Sequence, residues 1–174
     1  MRFISTNVVN LWVINIFITM TEKKKEIIYR ELSYGELSEK DVILAERAIK
    51  AVSGAYAPYS HFNVGAALRL GNGEVLIASN QENVAYPSGM CAERSLLYYT
   101  HSNYPNEPIE AIAITAFTNG KIVDTITYPC GACRQVMIEA EKRSGNKIKV
   151  LILSKDKIEE FDSIEAFMPF SFSL

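Results

Sequence analysis

The chain has three cysteines, and all of them lie in two short segments. Cys91 opens Cys91-Ala92-Glu93-Arg94, and the other two sit in Pro129-Cys130-Gly131-Ala132-Cys133-Arg134-Gln135. The fold is constrained by this grouping, because two segments far apart in sequence must meet if the thiolates are to share one ion. Three thiolates leave the fourth tetrahedral position of Zn²⁺ open, which marks a catalytic site rather than a closed structural one. Water takes that position, and the metal brings its pKa down from about 15.7 toward neutrality. Thiolates donate more charge than imidazoles, so the ion is a weaker acid here. A base beside the water and cations near the sulfurs would compensate. Glu93 can be that base, and Arg94 and Arg134 can be those cations.

Plainer readings of the cysteines do less well. A lone Cys-x-x-Cys also serves as a redox pair or as half of a structural zinc knuckle. A closed structural site needs a fourth ligand, and only His61 and His101 are on offer. His101 falls near the end of a predicted helix, where a cation is mildly favoured, and His61 falls in a loop, so neither reads as a ligand. A redox pair would leave Cys91-Ala92-Glu93 without a purpose.

A chain of 174 residues is long enough for one domain with a sizeable core. The net charge is −2 and no basic stripe offers itself to a polynucleotide backbone, which favours a free small molecule over a nucleic acid. An odd number of cysteines, all committed to the motifs, points to a reducing compartment and a cytoplasmic protein. The run Leu11–Ile18 is apolar but too short to span a bilayer; Asn15 interrupts it, and Asn7 and Asn10 lie just before it. Met20 follows, with the polar opening Thr21-Glu22-Lys23-Lys24-Lys25. Residues 1–20 are therefore read as a leader, disordered or upstream of the true start, and 21–174 as a single domain. No membrane partner is expected.

Along the chain, 26–34 reads as a short strand or arm. Ser38 caps a helix whose apolar face carries Val42, Leu44, Ala45, Ala48, Ile49 and Val52, with Gly54 at its end. Val64–Leu70 and Glu74–Ser79 form a hairpin around Gly71-Asn72-Gly73. Cys91–His101 is a predicted helix, Ile109–Phe117 a buried strand, and Asn119-Gly120 a turn. Gly131–Arg143 is a second motif-bearing helix, stopped near Gly145, and Ile148–Leu153 is another strand. Strands alternating with helices after a hairpin predict an α/β class, a three-layer α/β/α domain with a mixed sheet. Cys91 and Cys130 both fall at helix N-termini, whose dipoles favour thiolates. Glu93 falls in a first turn, within reach of the ion.

A thiolate, a carboxylate two residues on and a distant Pro-Cys-x-x-Cys resemble the signature of the zinc-dependent nucleobase deaminases. Within them, Tyr56-Ala57-Pro58-Tyr59-Ser60-His61-Phe62-Asn63-Val64-Gly65-Ala66-Ala67-Leu68 looks like the opening signature of the small homotetrameric cytidine deaminases. Asn80-Gln81-Glu82-Asn83-Val84-Ala85 resembles that family's Asn-Val-Glu-Asn-Ala loop, and Pro169-Phe170-Ser171-Phe172 its Pro-x-x-Phe tail. The match runs over roughly residues 38–172, in the family's order. The resemblance implies a mixed five-stranded sheet and one Zn²⁺ per subunit on Cys91, Cys130 and Cys133. Glu93 would be the proton shuttle and Arg94 would temper the thiolate charge. Phe62 would lie against the pyrimidine, Asn80 and Glu82 would bind the ribose hydroxyl, and the Ala92 N–H would help fix the base. Phe172, or Phe170 in its place, would reach a neighbouring subunit's site, so that a homotetramer with sites at its interfaces is implied. The implied reaction is hydrolytic deamination of cytidine and deoxycytidine in pyrimidine salvage.

Gln81 departs from the family, which has a small apolar residue there; on an extended segment its side chain should point away from the ribose. A deaminase of blasticidin-type nucleoside antibiotics would share the zinc motifs, but Phe62, Asn80 and Glu82 favour an ordinary ribose. Deoxycytidylate deaminases and polynucleotide editors usually have His where Cys91 stands. A silent zinc scaffold would have no use for Glu93.

Overall fold

The computed structural model describes residues 22–172, so the leader read over 1–20 lies outside the described residues. The strands are β1 (Arg30–Leu32), β2 (Phe62–Leu70), β3 (Val75–Ser79), β4 (Ile109–Thr118), β5 (Lys121–Ile122), β6 (Lys149–Leu153) and β7 (Ile158–Phe161). The helices are α1 (Glu39–Ala51), α2 (Ala92–Asn103) and α3 (Gly131–Ser144). One sheet runs β1-β7-β6-β4-β2-β3, with β5 attached to β4. The β4–β6 pair is parallel and the others are antiparallel, so the sheet is mixed, as expected. It has seven strands, not five. β1 falls within the short strand or arm read over 26–34, and the strands beyond the expected sheet are pieces too short or too charged to read as such: the two-residue β5 returning from the Asn119-Gly120 turn, and β7, whose Ile-Glu-Glu-Phe carries two adjacent carboxylates and pairs with β1.

Each helix starts and stops on a local signal. The Ser38 hydroxyl caps α1 by accepting from the Asp41 N–H, which offsets one of the orphan donors of a first turn. Gly145 ends α3 with a φ of 67°, the left-handed conformation that glycine adopts without strain. Asn119 and Gly120, at φ 51° and 72°, form the tight reversal between β4 and β5.

Strand alternation separates two unlike faces. Leu68, Ile112, Ile114, Val150 and Ile152 face α2 and α3, where Leu96, Leu97, Met137 and Ile138 meet them. Ala67, Ala111, Ala113, Leu151 and Leu153 face α1 and pack on Leu44, Ala45 and Ala48. Small side chains on both sides bring α1 close to the sheet. Closest approach is at Gly65, where a Cβ would lie 2.2 Å from the Ala48 carbonyl oxygen and 2.8 Å from the Val52 nitrogen.

Asp41, 2% exposed, ties α1 to the sheet. It accepts from Lys149 Nζ at 2.9 Å and Arg69 Nη1 at 3.2 Å, and from the Ser38 hydroxyl at 2.7 Å. Burial alone would raise its pKa, but hydrogen bonds from Ser38, Lys149 and Arg69 outweigh this and hold it below the usual carboxylate range. A depressed carboxylate stabilises the fold above its unfolded pKa and loses that contribution as pH falls through the folded value. Asp41→Asn is therefore expected to cost about 3 kcal/mol at pH 7, where two cations lose a buried partner. The gap from wild type should narrow below about pH 4, as urea unfolding across a pH series would measure.

Candidate active site

The N-termini of α2 and α3 deliver the three sulfurs to one place. Cys91 is the residue before α2 and Cys130 the residue before α3, both in extended conformation, and Cys133 lies in the first turn of α3. Neither cap residue's side chain caps a backbone N–H of its helix, while the unpaired N–H groups of both first turns add positive potential. Cys130 and Cys133 sulfurs are 3.4 Å apart, Cys91 and Cys130 sulfurs 4.0 Å apart, and all three lie within 4.8 Å of one another. Tetrahedral zinc with bonds of about 2.3 Å sets its sulfurs about 3.8 Å apart. The cluster fits that ion, and among the described residues it is the one such group of potential ligands.

Before any ion binds, the sulfurs already differ. The neighbouring Cys133 thiol, with the Arg94 guanidinium adding to the effect, holds Cys91 below the ordinary thiol range. Cys133 is pushed up by that same partnership and by burial. Arg94 Nη2 lies 3.8 Å from Cys91 Sγ, the place expected for a cation tempering thiolate charge. Arg134 is used otherwise: its Nε donates to the Pro129 carbonyl at 2.7 Å and Nη1 to the Phe167 carbonyl at 3.2 Å. It braces the Cys130 turn rather than touching sulfur.

Glu93, in the first turn of α2, is 5% exposed. Burial, and then the Cys91 thiolate beside it, raise its pKa, so its carboxyl takes up a proton more readily than an ordinary one. A bound cation would act in the opposite direction.

A cavity of 440 Å³ holds Cys91, Glu93, Cys130, Phe62, Asn80 and Glu82 on its walls, with Tyr128 beside them. An adjoining hollow of 560 Å³ shares Asn80, Glu82 and Cys91 and adds Arg94, Tyr59 and Tyr86. Six of the residues singled out in the sequence thus line one space, and the third sulfur, that of the fully buried Cys133, lies within 4.8 Å of the other two. Ala92, fully buried, is the first residue of α2, and its N–H has no acceptor within the helix. Phe172 is elsewhere: it is 69% exposed, lies in the groove between α2 and α3 with Tyr98 and Arg143, and its carbonyl accepts from Gln135. Phe170 is 86% exposed under the Lys25 ammonium. Neither ring enters the cavity of its own chain.

Asn80 and Glu82 are also pinned to the scaffold. The Asn80 side chain donates to the Phe62 carbonyl at 2.9 Å and accepts from the Val64 N–H at 2.8 Å, which continues the β2–β3 ladder by one step and leaves one amide N–H over. Glu82 accepts from the Tyr59 N–H at 2.9 Å, the Ser60 N–H at 3.3 Å and the Ser60 hydroxyl. The Ser60 hydroxyl, then burial opposed by the two backbone donors, leaves its pKa lowered, so Glu82 remains an acceptor. The 59–61 turn is thereby fixed, and His61, at φ 55°, points the chain so that Phe62 lines the cavity. Ser60 and Tyr128 are wall residues that motif reasoning passed over. Ser60 stood inside the quoted signature, and Tyr128 was detectable only as the neighbour of Pro129. Gln81 donates to the Gly54 carbonyl at 2.9 Å and lines the adjoining 560 Å³ hollow but not the 440 Å³ cavity.

Comparisons with known proteins agree with this geometry. The sequence pattern of the family described as the cytidine and deoxycytidylate deaminase zinc-binding region matches residues 38–146. The chain is 44% identical over 97 residues to a cytidine deaminase of Halalkalibacterium halodurans, covering 56% of this chain and 69% of the relative. To that of Sporosarcina psychrophila it is 39% identical over 124 residues, covering 71% and 85%. The solved cytidine deaminase from Burkholderia pseudomallei superposes with a TM-score of 0.63 at 34% identity, covering 78% of this chain and 100% of that one. A match over residues that include all three sulfurs and Glu93, on a fold shared with solved relatives, places this chain in the cytidine and deoxycytidylate deaminase family.

Proposed function

We propose that this protein is a cytidine deaminase, which hydrolyses the C4 amino group of cytidine and deoxycytidine to give uridine or deoxyuridine and ammonia. The reading is carried by the meeting, in one cavity, of a three-thiolate cluster, the buried Glu93 and a wall of Phe62, Asn80 and Glu82. Zinc held by Cys91, Cys130 and Cys133 would supply the Lewis acid that makes water nucleophilic near neutral pH. Glu93 takes a proton from the attacking water and delivers it to N3 as C4 becomes tetrahedral. The remaining proton of that water goes, again by way of Glu93, to the amino group; the C4–N bond breaks, ammonia leaves and a C4 carbonyl remains. One carboxylate serves both transfers when it stays within hydrogen-bond reach. Phe62 stacks on the pyrimidine, the Ala92 N–H holds an edge of the base, and Asn80 and Glu82 bind the ribose.

Charge favours a nucleoside over a nucleotide. Among the described residues, Arg94 is the one cationic side chain on either cavity's walls, and it faces Cys91. Glu82 stands at the ribose end, where a phosphate would be repelled. The exposed rings of Tyr98, Tyr99 and Phe172 suit a homotetramer in which each Phe172 serves a neighbour's site. No helix among the described residues is long and apolar enough to cross a membrane.

Loss of ultraviolet absorbance on mixing with cytidine, together with zinc by mass spectrometry, tests the reading. Turnover with one zinc per chain is the expected result, with deoxycytidylate turned over far more slowly than deoxycytidine. Zinc without cytidine turnover, but with activity on deoxycytidylate or a blasticidin-type antibiotic, would replace it.

A further inference from the structure

Tyr128, just before Pro129-Cys130, stands between two spaces. Its ring lines the 440 Å³ cavity with Phe62 and Glu93, and it also lines a 310 Å³ hollow with Tyr29, Arg134 and Phe167. Tyr128, 44% exposed, thus borders both spaces. Its hydroxyl donates to Glu159 Oε2 at 2.5 Å. Glu159, on β7, is 4% exposed, and among the described residues this is its one side-chain hydrogen bond. A buried carboxylate is costly unless it is hydrogen-bonded, and the Tyr128 hydroxyl supplies that bond. The Tyr128 ring also packs edge-on to Phe161 at 6.5 Å and tilted on Phe167 at 6.1 Å, and Tyr29 stacks on the far side of that cluster at 5.2 Å from Phe161.

The backbone passes this order on toward the sulfurs. A residue before proline is confined to extended conformations, so a fixed Tyr128 side chain also restricts the peptide that leads into Cys130. Arg134 holds the same turn from its other side through the Pro129 carbonyl.

We infer that Tyr128 and Glu159 are a positioning pair: Glu159, out of contact with substrate, holds the Tyr128 ring as the cavity wall against which the pyrimidine is placed. The inference rests on the cytidine deaminase reading above. A ring released from its carboxylate samples other rotamers, and the cost falls on binding rather than on chemistry. Tyr128→Phe, which removes one oxygen, should therefore raise the KM for cytidine about tenfold, the loss expected for one hydrogen bond to a charged group, with kcat changed less than about threefold and zinc content unchanged. Glu159→Ala should do the same. Glu159→Gln, which still offers an acceptor, should restore KM to within about threefold of wild type. The double variant Tyr128→Phe/Glu159→Ala should be no worse than either single one, because both remove the same interaction. A lowered melting temperature with KM unchanged in Tyr128→Phe would reduce the pair to packing and overturn the inference, as would single-variant losses that multiply in the double. Wild-type turnover in the same assay separates the two readings. A silent wild type overturns the cytidine reading and this inference with it, whereas an active wild type with an unchanged KM in Tyr128→Phe overturns this inference alone.

Discussion

Glu93→Ala is expected to keep one zinc per chain and to lose turnover by about 10² to 10⁴-fold, the range that positioned acid–base groups supply. The carboxylate is not among the three sulfurs that hold the ion, so the metal should stay when it goes. Glu93 is the one acidic residue in the first turn of α2, so no other carboxylate on that turn can take its place. Glu93→Gln separates shape from proton transfer, since it fills the same volume but cannot cycle a proton, and it should be as inactive as the alanine variant. A rate within threefold of wild type, at full zinc content, would remove Glu93 from the reaction. The control is Cys133→Ala, which should lose zinc and activity together. A hydrated pyrimidine analogue with a tetrahedral C4 should bind wild type far more tightly than cytidine does.

The largest effect on the fold is expected at Gly65. Its Cβ would fall 2.2 Å from the Ala48 carbonyl oxygen, and that neighbour is main chain within a hydrogen-bonded helix, so it cannot rotate aside as a side chain could. Gly65→Ala must push α1 off β2 or bend β2. Overpacking of this kind costs about 3 kcal/mol or more, which lowers the melting temperature by about 10 °C in a domain of this size. Scanning calorimetry would read it. Ala67→Gly, on the same face but without the close contact, should cost less. Unchanged melting in Gly65→Ala would mean that α1 sits farther from the sheet than described.

Much of this architecture was legible from residue order. Cys91 and Cys130 were placed at helix starts because helical stretches begin at them, and both are found there. Ser38 and Gly145 marked true boundaries because a hydroxyl cap and a left-handed residue act locally. The site was legible for the same reason: metal spacing and the signature around Phe62 are short-range patterns. What escaped was non-local. β7 reads Ile-Glu-Glu-Phe, which looks like a solvated loop until Arg30, Lys149 and Tyr128 arrive from elsewhere in the chain to meet its carboxylates. β1 exists only as the partner of β7. Glu159 could not be linked to the catalytic cavity before that pairing was known. The place of Phe172 in the α2–α3 groove likewise depends on packing that no motif encodes.

The arrangement of the sulfurs also bears on how the chain comes to be loaded with its ion. Cys130 and Cys133 are neighbours on one helical turn, so they can form a two-thiolate grip as soon as α3 begins to coil. Cys91 lies 39 residues upstream, across the rest of α2 and the strands β4 and β5. An ion captured first by the later pair becomes a clasp when Cys91 closes on it, drawing shut a long loop whose closure entropy a bare chain must meet from packing alone. In that sense the reagent of catalysis doubles as a crosslink, fastened late and holding two crossover helices by their starting ends.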